Sequence, residues 1–410
     1  MNDCDSPELI AYDDALAQIT SSISALGRVS HLPLKQALGA VLAESITSSI
    51  DVPGNDLSAM DGYAINTEDF AVSGITTLPL SQRIAAGSAA CPLAPASVAR
   101  IFTGAPVPQG ANAVIMQEQA RVDGDSISFD NCPAVGANIR PAGNDIRRGD
   151  TILQKGCRLR PQEIGLAASI GLRTLPLFEP VKVGIFFTGD ELVEPGEVLG
   201  AGKIYDSNRY TLHGLLQSLG CEIIDLGLVG DTLEATRQAM LDACDQADLV
   251  VTSGGVSVGE EDHVRIAIEQ LGELRLWRLG IKPGKPLAYG QIRDTAFIGL
   301  PGNPVSVFAT FCLFVCPVIS ILQGRGWKKP LSFPLRAGFD WPEPDSRREF
   351  LRARLELDSS NETLVQIFPN QDSGVLTSTV WADGFVEIAE NQTLVTGEEV
   401  NYIPFAHFFS

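Results

Sequence analysis

The sequence is short of the residues that make ready-formed metal centres. Its four histidines, His31, His213, His263 and His407, show neither HxH nor HExxH spacing, which argues against a preformed zinc site. Its eight cysteines, from Cys4 to Cys316, are scattered without a CxxC pair, so no disulfide framework is predicted and reduced thiols in a cytosol fit best. Cations are scarce too: 30 Lys plus Arg stand against 50 Asp plus Glu, a net charge of −20. Such a surface repels nucleic acid phosphates and anionic lipid, so neither polynucleotide nor membrane is an expected partner. The acidic N-terminus does not read as a signal peptide. Long apolar runs are nearly absent. The exception, Val305 to Leu322, is about 18 residues and touches the lower limit for a membrane span. It carries Ser306, Thr310, Pro317 and Ser320 and directly follows the loop LPGNP, so a buried helix of an α/β domain is the expectation.

What remains is the composition of a folded globular protein, 45% hydrophobic and 20% charged over 410 residues. That length exceeds one ordinary core and predicts roughly two to four domains. Near the N-terminus Tyr12, Leu16 and Ile19 recur at helical spacing, and Leu34, Leu38, Val41 and Leu42 do so again, which reads as helix, turn, helix. Between Ser48 and Gly136 short apolar runs broken by Gly and Pro predict a mostly β domain. The following segment begins extended and becomes helical after Pro161; if it rejoins the N-terminal residues, the β domain is an insertion. From Pro180 strands and helices alternate, VKVGIFFT, RYTLHGLLQSL, CEIIDLGLV, LEATRQAMLDACDQ, DLVVTS, the signature of a doubly wound parallel sheet. Beyond Pro330 short strands return, as in FLRARLEL and EVNYIPF, and predict a small β-barrel or sandwich. The expected divisions are 1–47 with 137–178 (helical and extended), 48–136 (inserted, mostly β), 179–328 (α/β) and 329–410 (C-terminal β).

Ligands of open α/β sheets bind beyond the carboxyl ends of the strands, so the loops after each strand are where chemistry is sought. One of them, TSGGVSVGEED, places Ser253, Gly254, Gly255, Ser257 and Gly259 where backbone N–H groups can approach an anion without Cβ interference. It is neither a P-loop nor a dinucleotide fingerprint, and a plain Gly-rich turn explains it equally on local grounds. Asp190, Glu191, Asp231, Glu260, Glu261 and Asp262 project near the same edge. That many carboxylates beside an anion call for a divalent cation such as Mg²⁺, unless most are solvated turn acids. Arg278, Lys282 and Lys285 supply positive charge there, suited to a dianion or pyrophosphate, with surface solubility as the plainer reading. The turn LPGNPVS before a helix again offers free N–H groups.

In this order along nearly the whole chain, SAMDGYA, FTGAPVP, GNDI, TGDEL, SGGVSVGEED, IKPGKP and GLPGNPVS closely resemble the molybdopterin molybdenumtransferase family, which includes the C-terminal region of gephyrin. The resemblance implies an elongated homodimer whose α/β domain binds molybdopterin, with the active site between that domain of one subunit and the N-terminal parts of the other. It implies a reaction on adenylylated molybdopterin and molybdate that releases AMP and leaves molybdenum on the dithiolene, assisted by a divalent cation. A molybdopterin adenylyltransferase is the implied supplier of the activated pterin.

Carried over by motif, the expected catalytic residues are Asp61, Thr103, Asp145, Glu191, Asp231 and Asp262, of which Glu191, Asp231 and Asp262 would organise the metal. Asp61 also reads as an ordinary Asp-Gly turn. Ser253, Gly254, Gly255, Ser257, Arg278, Lys282, Lys285, Pro301, Pro304, Arg352 and Ser373 would bind substrate. The family pattern commonly has lysine where this chain has Arg278; the guanidinium keeps the charge but not a lysine's capacity for proton transfer. Two other readings stay open on the residues: the adenylyltransferase itself, and a non-catalytic pterin-binding scaffold.

Overall fold

The computed structural model describes residues 9–70, 76–256 and 263–409. Its α/β domain is built on a six-stranded sheet in the order Glu222–Val229, Lys182–Thr188, Leu249–Ser253, Thr295–Leu300, Ala288–Ile292, Gly272–Trp277. The first four strands are parallel. Val183, Ile185, Phe186 and Phe187 are all fully buried, as are Leu249, Val250 and Val251, because helices cover both faces. The sheet departs from the all-parallel expectation at Ala288–Ile292, which runs antiparallel to both neighbours. Only Arg293 and Asp294 separate it from Thr295–Leu300, and Arg293 has φ 53°. A two-residue link makes a hairpin, whereas a parallel crossover needs about a dozen residues or more.

The apolar segment is a helix, Pro304–Leu322, interior to this domain, with 89% of its most apolar window buried. Pro317 would clash with the carbonyl of Leu313 in a regular α-helix and offers no N–H. The chain accommodates it by widening Phe311–Val315 into a π turn immediately before.

The N-terminal helix forms as Tyr12–Ser21, but it packs on the α/β core: the Tyr12 ring meets Phe314 edge-on at 5.6 Å. The second helix of the expected helix-turn-helix does not form. Val29–Pro33 is a strand paired antiparallel with Thr174–Phe178, followed by a single 3₁₀ turn, Leu34–Gln36. Gly39 at φ +77° then turns the chain, and Leu42 is fully buried with Leu159, Leu175 and Leu177. Tertiary pairing thus overrides the local helical spacing.

Ile46–Thr47 pairs with Thr151–Leu153, and Leu57–Ser58 pairs with Ile139–Arg140, so the chain leaves this unit and returns to it. The insertion holds its own six-stranded sheet, in the order Ala113–Met116, Gly62–Ile65, Val98–Ile101, Thr76–Ile84, Ser126–Phe129, Ala120–Asp123. At the C-terminus Arg348–Leu357, Thr363–Ile367, Phe333–Ala337, Glu399–Pro404 and Gly384–Ile388 pair in sequence. The pairing of the first with the last closes a barrel. Ile281–Lys282 of the α/β domain adds parallel to Arg348 and Glu349, and this sets Lys282 against the barrel.

Candidate functional site

Two clefts open at the carboxyl ends of the strands and share Gly302 and Asn303. The first, about 470 Å³, lies between the segment Lys282–Pro286 and barrel residues Arg347 and Gln371–Ser373. Gly284 has φ +106°, and a Cβ there would lie 2.4 Å from Thr310 Cγ2, so this loop sits against the interior helix. Lys282 Nζ is 2.8 Å from Glu349 Oε1 and 3.4 Å from Asp345 Oδ2. Glu349 is 1% exposed and also accepts from Trp341 Nε1 at 2.7 Å. Burial alone would lower the Lys282 ammonium, but Glu349 and then Asp345 reverse this and hold it above the ordinary lysine value. Arg347 grips Asp345 through two parallel bonds, Nε to Oδ1 at 2.9 Å and Nη2 to Oδ2 at 2.7 Å, and holds that carboxyl well below the usual range. The charge of Lys282 is therefore largely matched by protein. Lys285, exposed and without an ion pair among the described residues, is the cation left for a guest.

Ser373 lines this cleft and pins it: its Oγ accepts from Asn303 Nδ2 at 2.8 Å and its carbonyl accepts from Val305 N–H at 3.0 Å. One N–H of the first helical turn is thus taken by protein. Arg352 lies beneath, wholly buried, donating to Ser378 Oγ at 3.1 Å and the Asp372 carbonyl at 3.2 Å. Burial pushes its guanidinium down to about 10, with Asp372 opposing. Its backbone N–H also donates to Gln371 Oε1 at 2.9 Å, so it is tied to the Gln371–Ser373 loop twice.

The second cleft, also about 470 Å³, is lined by Thr188, Glu191, the segment Ile204–Asn208, Ser253, Gly254, Pro304 and Leu376, among others. Gly254 has φ +95°, and a Cβ there would meet the Thr188 carbonyl at 2.7 Å; Gly255 has φ +64°, and its Cβ would meet Val264 Cγ2 at 2.7 Å. Only glycine lets these strand ends approach so closely. Ser253 Oγ donates to the Pro301 carbonyl at 2.9 Å and accepts from Asn208 Nδ2 at 3.0 Å, so it ties the loops together from inside. Pro301 is buried behind it. The Glu191 carboxylate is exposed and makes no hydrogen bond or ion pair among the described residues. Asp206 was not singled out by sequence reasoning, yet it is 1% exposed and caps the helix Ser207–Ser218, with Oδ1 accepting from Arg209 N–H at 3.0 Å. Burial pushes its carboxyl up, against the pull of that N–H. The sequence signal was an Asp-Ser-Asn opening a helical run, overlooked because it follows a long excursion from the strand end.

Asp61 and Thr103 come together in the inserted domain: Asp61 Oδ1 accepts from both the N–H and Oγ1 of Thr103, each at 2.8 Å. These bonds hold its exposed carboxyl below the ordinary value, the backbone N–H contributing most. Asp145 lines a separate shallow depression with Asn144, Arg147 and Asp150. Neither of the paired clefts is lined by Asp61, Thr103 or Asp145, nor by the half-buried Arg278 and Asp231. Ser257, Glu260, Glu261 and Asp262 lie outside the described residues.

The chain is 39% identical over 403 residues to a molybdopterin molybdenumtransferase of Haemophilus influenzae, covering 97% of this chain and 99% of that one. It belongs to the molybdopterin molybdenumtransferase family. A relative of the same name from Nostoc sp. is 36% identical over 76% of this chain and 74% of its own. Residues 10–171 match the MoeA N-terminal region (domain I and II), 184–320 a probable molybdopterin binding domain, and 334–405 the MoeA C-terminal region (domain IV). The solved molybdopterin biosynthesis MoeA protein of Pyrococcus horikoshii superposes with TM-score 0.85 at 30% identity, over 97% of this chain and 100% of that one. In this family setting both clefts lie where the region matched to the molybdopterin binding domain meets the barrel, which contributes Arg347 and Gln371–Ser373 to the first and Gly374 and Leu376 to the second. Among the described residues, no three His, Cys, Asp or Glu side chains converge as metal ligands.

Proposed function

We infer that this chain is a transferase that inserts molybdenum into molybdopterin. The observation that carries the reading is the pair of adjoining clefts, one cationic and one lined by oxygens, at the strand ends of a strongly acidic family member. We further propose that the pterin arrives adenylylated, that molybdate is the metal source, and that the pyrophosphate bond is hydrolysed with release of AMP. Lys285 attracts the molybdate or phosphate charge, while Lys282 is fixed by Glu349 and Asp345 as a placed donor. Pro301 and Pro304 stiffen the shared wall, and Gly254 brings backbone close to the guest. Glu191 faces the second cleft as a hard oxygen donor and would be the first ligand of a magnesium ion, with Asp231 and Asp262 proposed as its partners on their motifs alone; such an ion would screen the negative charge of the phosphoanhydride. Asp61, Thr103 and Asp145, which line neither cleft within one chain, would complete the site from the partner of a homodimer. We assign the protein to the cytoplasm, which its free cysteines fit, with an adenylyltransferase supplying its substrate.

Glu191→Gln is expected to abolish AMP release from adenylylated molybdopterin with an unchanged melting temperature; full turnover would sink the assignment. Mixing inactive Glu191→Gln with inactive Asp61→Ala tests the composite site. Random exchange of subunits should restore about a quarter of wild-type activity, since half of the dimers would be mixed and each would hold one intact site. No recovery after verified exchange would place both residues in a single-chain site.

A further inference from the structure

Three buried oxygens of the second cleft, Asp206 Oδ2, Asn208 Oδ1 and Thr188 Oγ1, have no hydrogen-bond partner among the described residues. Asp206 is 1% exposed and Thr188 4%. A buried acceptor without a donor costs about 1–3 kcal/mol, so three at one place mark a surface made to be completed by a guest.

Their orientation is fixed by what the rest of each side chain does. Asp206 spends Oδ1 on the Arg209 N–H, leaving Oδ2. Asn208 spends its NH₂ on Ser253 Oγ at 3.0 Å and the Gly302 carbonyl at 2.7 Å, so its oxygen is what remains. Both leftovers are acceptors only, and the Thr188 hydroxyl serves as either. The neighbouring Arg209 does not fill the gap, because its guanidinium is engaged by Asp225 and Glu194. Phe187, Leu192, Ile204, Pro304 and Leu376 supply apolar lining suited to the faces of a planar ring. The complement is a flat heterocycle with adjacent N–H donors on one edge.

Resting on the reading that the substrate is a pterin, we propose that Asp206, assisted by Asn208, recognises the 2-amino and N3–H edge of its pyrimidinone ring. Gly302 and Asn303 then separate the heterocycle in this cleft from its anionic groups in the neighbouring one. Asp206 acts as a specificity residue that selects a donor edge by leaving acceptors buried and unpaired when the edge is wrong.

The test uses the full chain in buffer with EDTA and two probes, 6-hydroxymethylpterin and 6-hydroxymethyllumazine, which differ in carrying an amino or an oxo group at position 2. Wild type is expected to bind the pterin more tightly by roughly tenfold to hundredfold. Asp206→Asn keeps the volume and the helix cap, since asparagine also caps well, but exchanges an acceptor for an NH₂ donor. It should melt as wild type does and lose the preference. Equal affinity for both probes, no binding of either up to their solubility limits, an undiminished preference in the variant, or a preference that appears only when Mg²⁺ replaces EDTA would each overturn the proposal. AMP release from adenylylated pterin, measured in parallel, separates the two readings. Discrimination without AMP release leaves the edge recognition standing and removes the reaction, whereas AMP release without discrimination does the reverse.

Discussion

At the residue scale, charge in this protein is placed by short-range partners. Asp61 is exposed, yet its carboxylate is stabilised by two donors from Thr103. Thr103→Val removes the hydroxyl but not the N–H, so the Asp61 titration, followed by carboxyl carbon NMR, should move part of the way up to the ordinary value. An unmoved titration would exclude Oγ1 as a cause. Asp345 makes a stability prediction. Its folded value lies below the unfolded value of about 4, so its contribution is complete above that pH and is lost as pH falls through the depressed value. Asp345→Asn should cost about 2 kcal/mol at pH 7, and denaturant unfolding of the variant should weaken less steeply than wild type below about pH 4. Gly254→Ala puts a Cβ against the Thr188 carbonyl at positive φ and should cost about 3 kcal/mol in the same measurement.

At the element scale, the helix Pro304–Leu322 shows how one sequence pattern serves two environments. Composition makes it apolar on every face, as a membrane span would be, but here the faces meet the sheet and the helix Tyr12–Ser21. Phe314 is fully buried and touches the Tyr12 ring. Phe314→Ala should cost about 3–5 kcal/mol, read from urea unfolding, because the space left behind is closed on all sides. The hairpin between Ala288–Ile292 and Thr295–Leu300 makes the complementary point. Its strands run in opposite directions because the link between them is only two residues long, Arg293 and Asp294.

At the scale of the whole molecule, one apolar cluster runs through the N-terminal helix, the α/β domain and the barrel, and polar contacts fasten the remaining unit to them. Arg158 donates to the carbonyls of Gly39 at 3.2 Å, Ser218 at 2.8 Å and Phe409, and so fastens the N-terminal unit, the end of an α/β helix and the C-terminal helix together. Arg158→Ala leaves all three carbonyls without this donor and should cost about 3 kcal/mol, with easier proteolysis between the units. Arg158→Lys should rescue little, since a single ammonium cannot reproduce the planar fork.

The sequence by itself determined the elements whose information is local: the alternation of strands and helices from Pro180, the inserted β segment, the helix opened by Pro161, and the loops at the strand ends, because periodicity, caps and glycines act over a few residues. It also made the family legible, since TGDEL, IKPGKP and GLPGNPVS occur in order along the chain. Only the tertiary structure decided that Leu34–Leu42 is not a helix, that Lys282 is matched by Glu349 and Asp345 some 60 residues away, and that Asp206 is buried with one oxygen unpaired. These depend on which distant segments close around a side chain, and burial and charge pairing are properties of that enclosure, not of the residue or its neighbours in sequence.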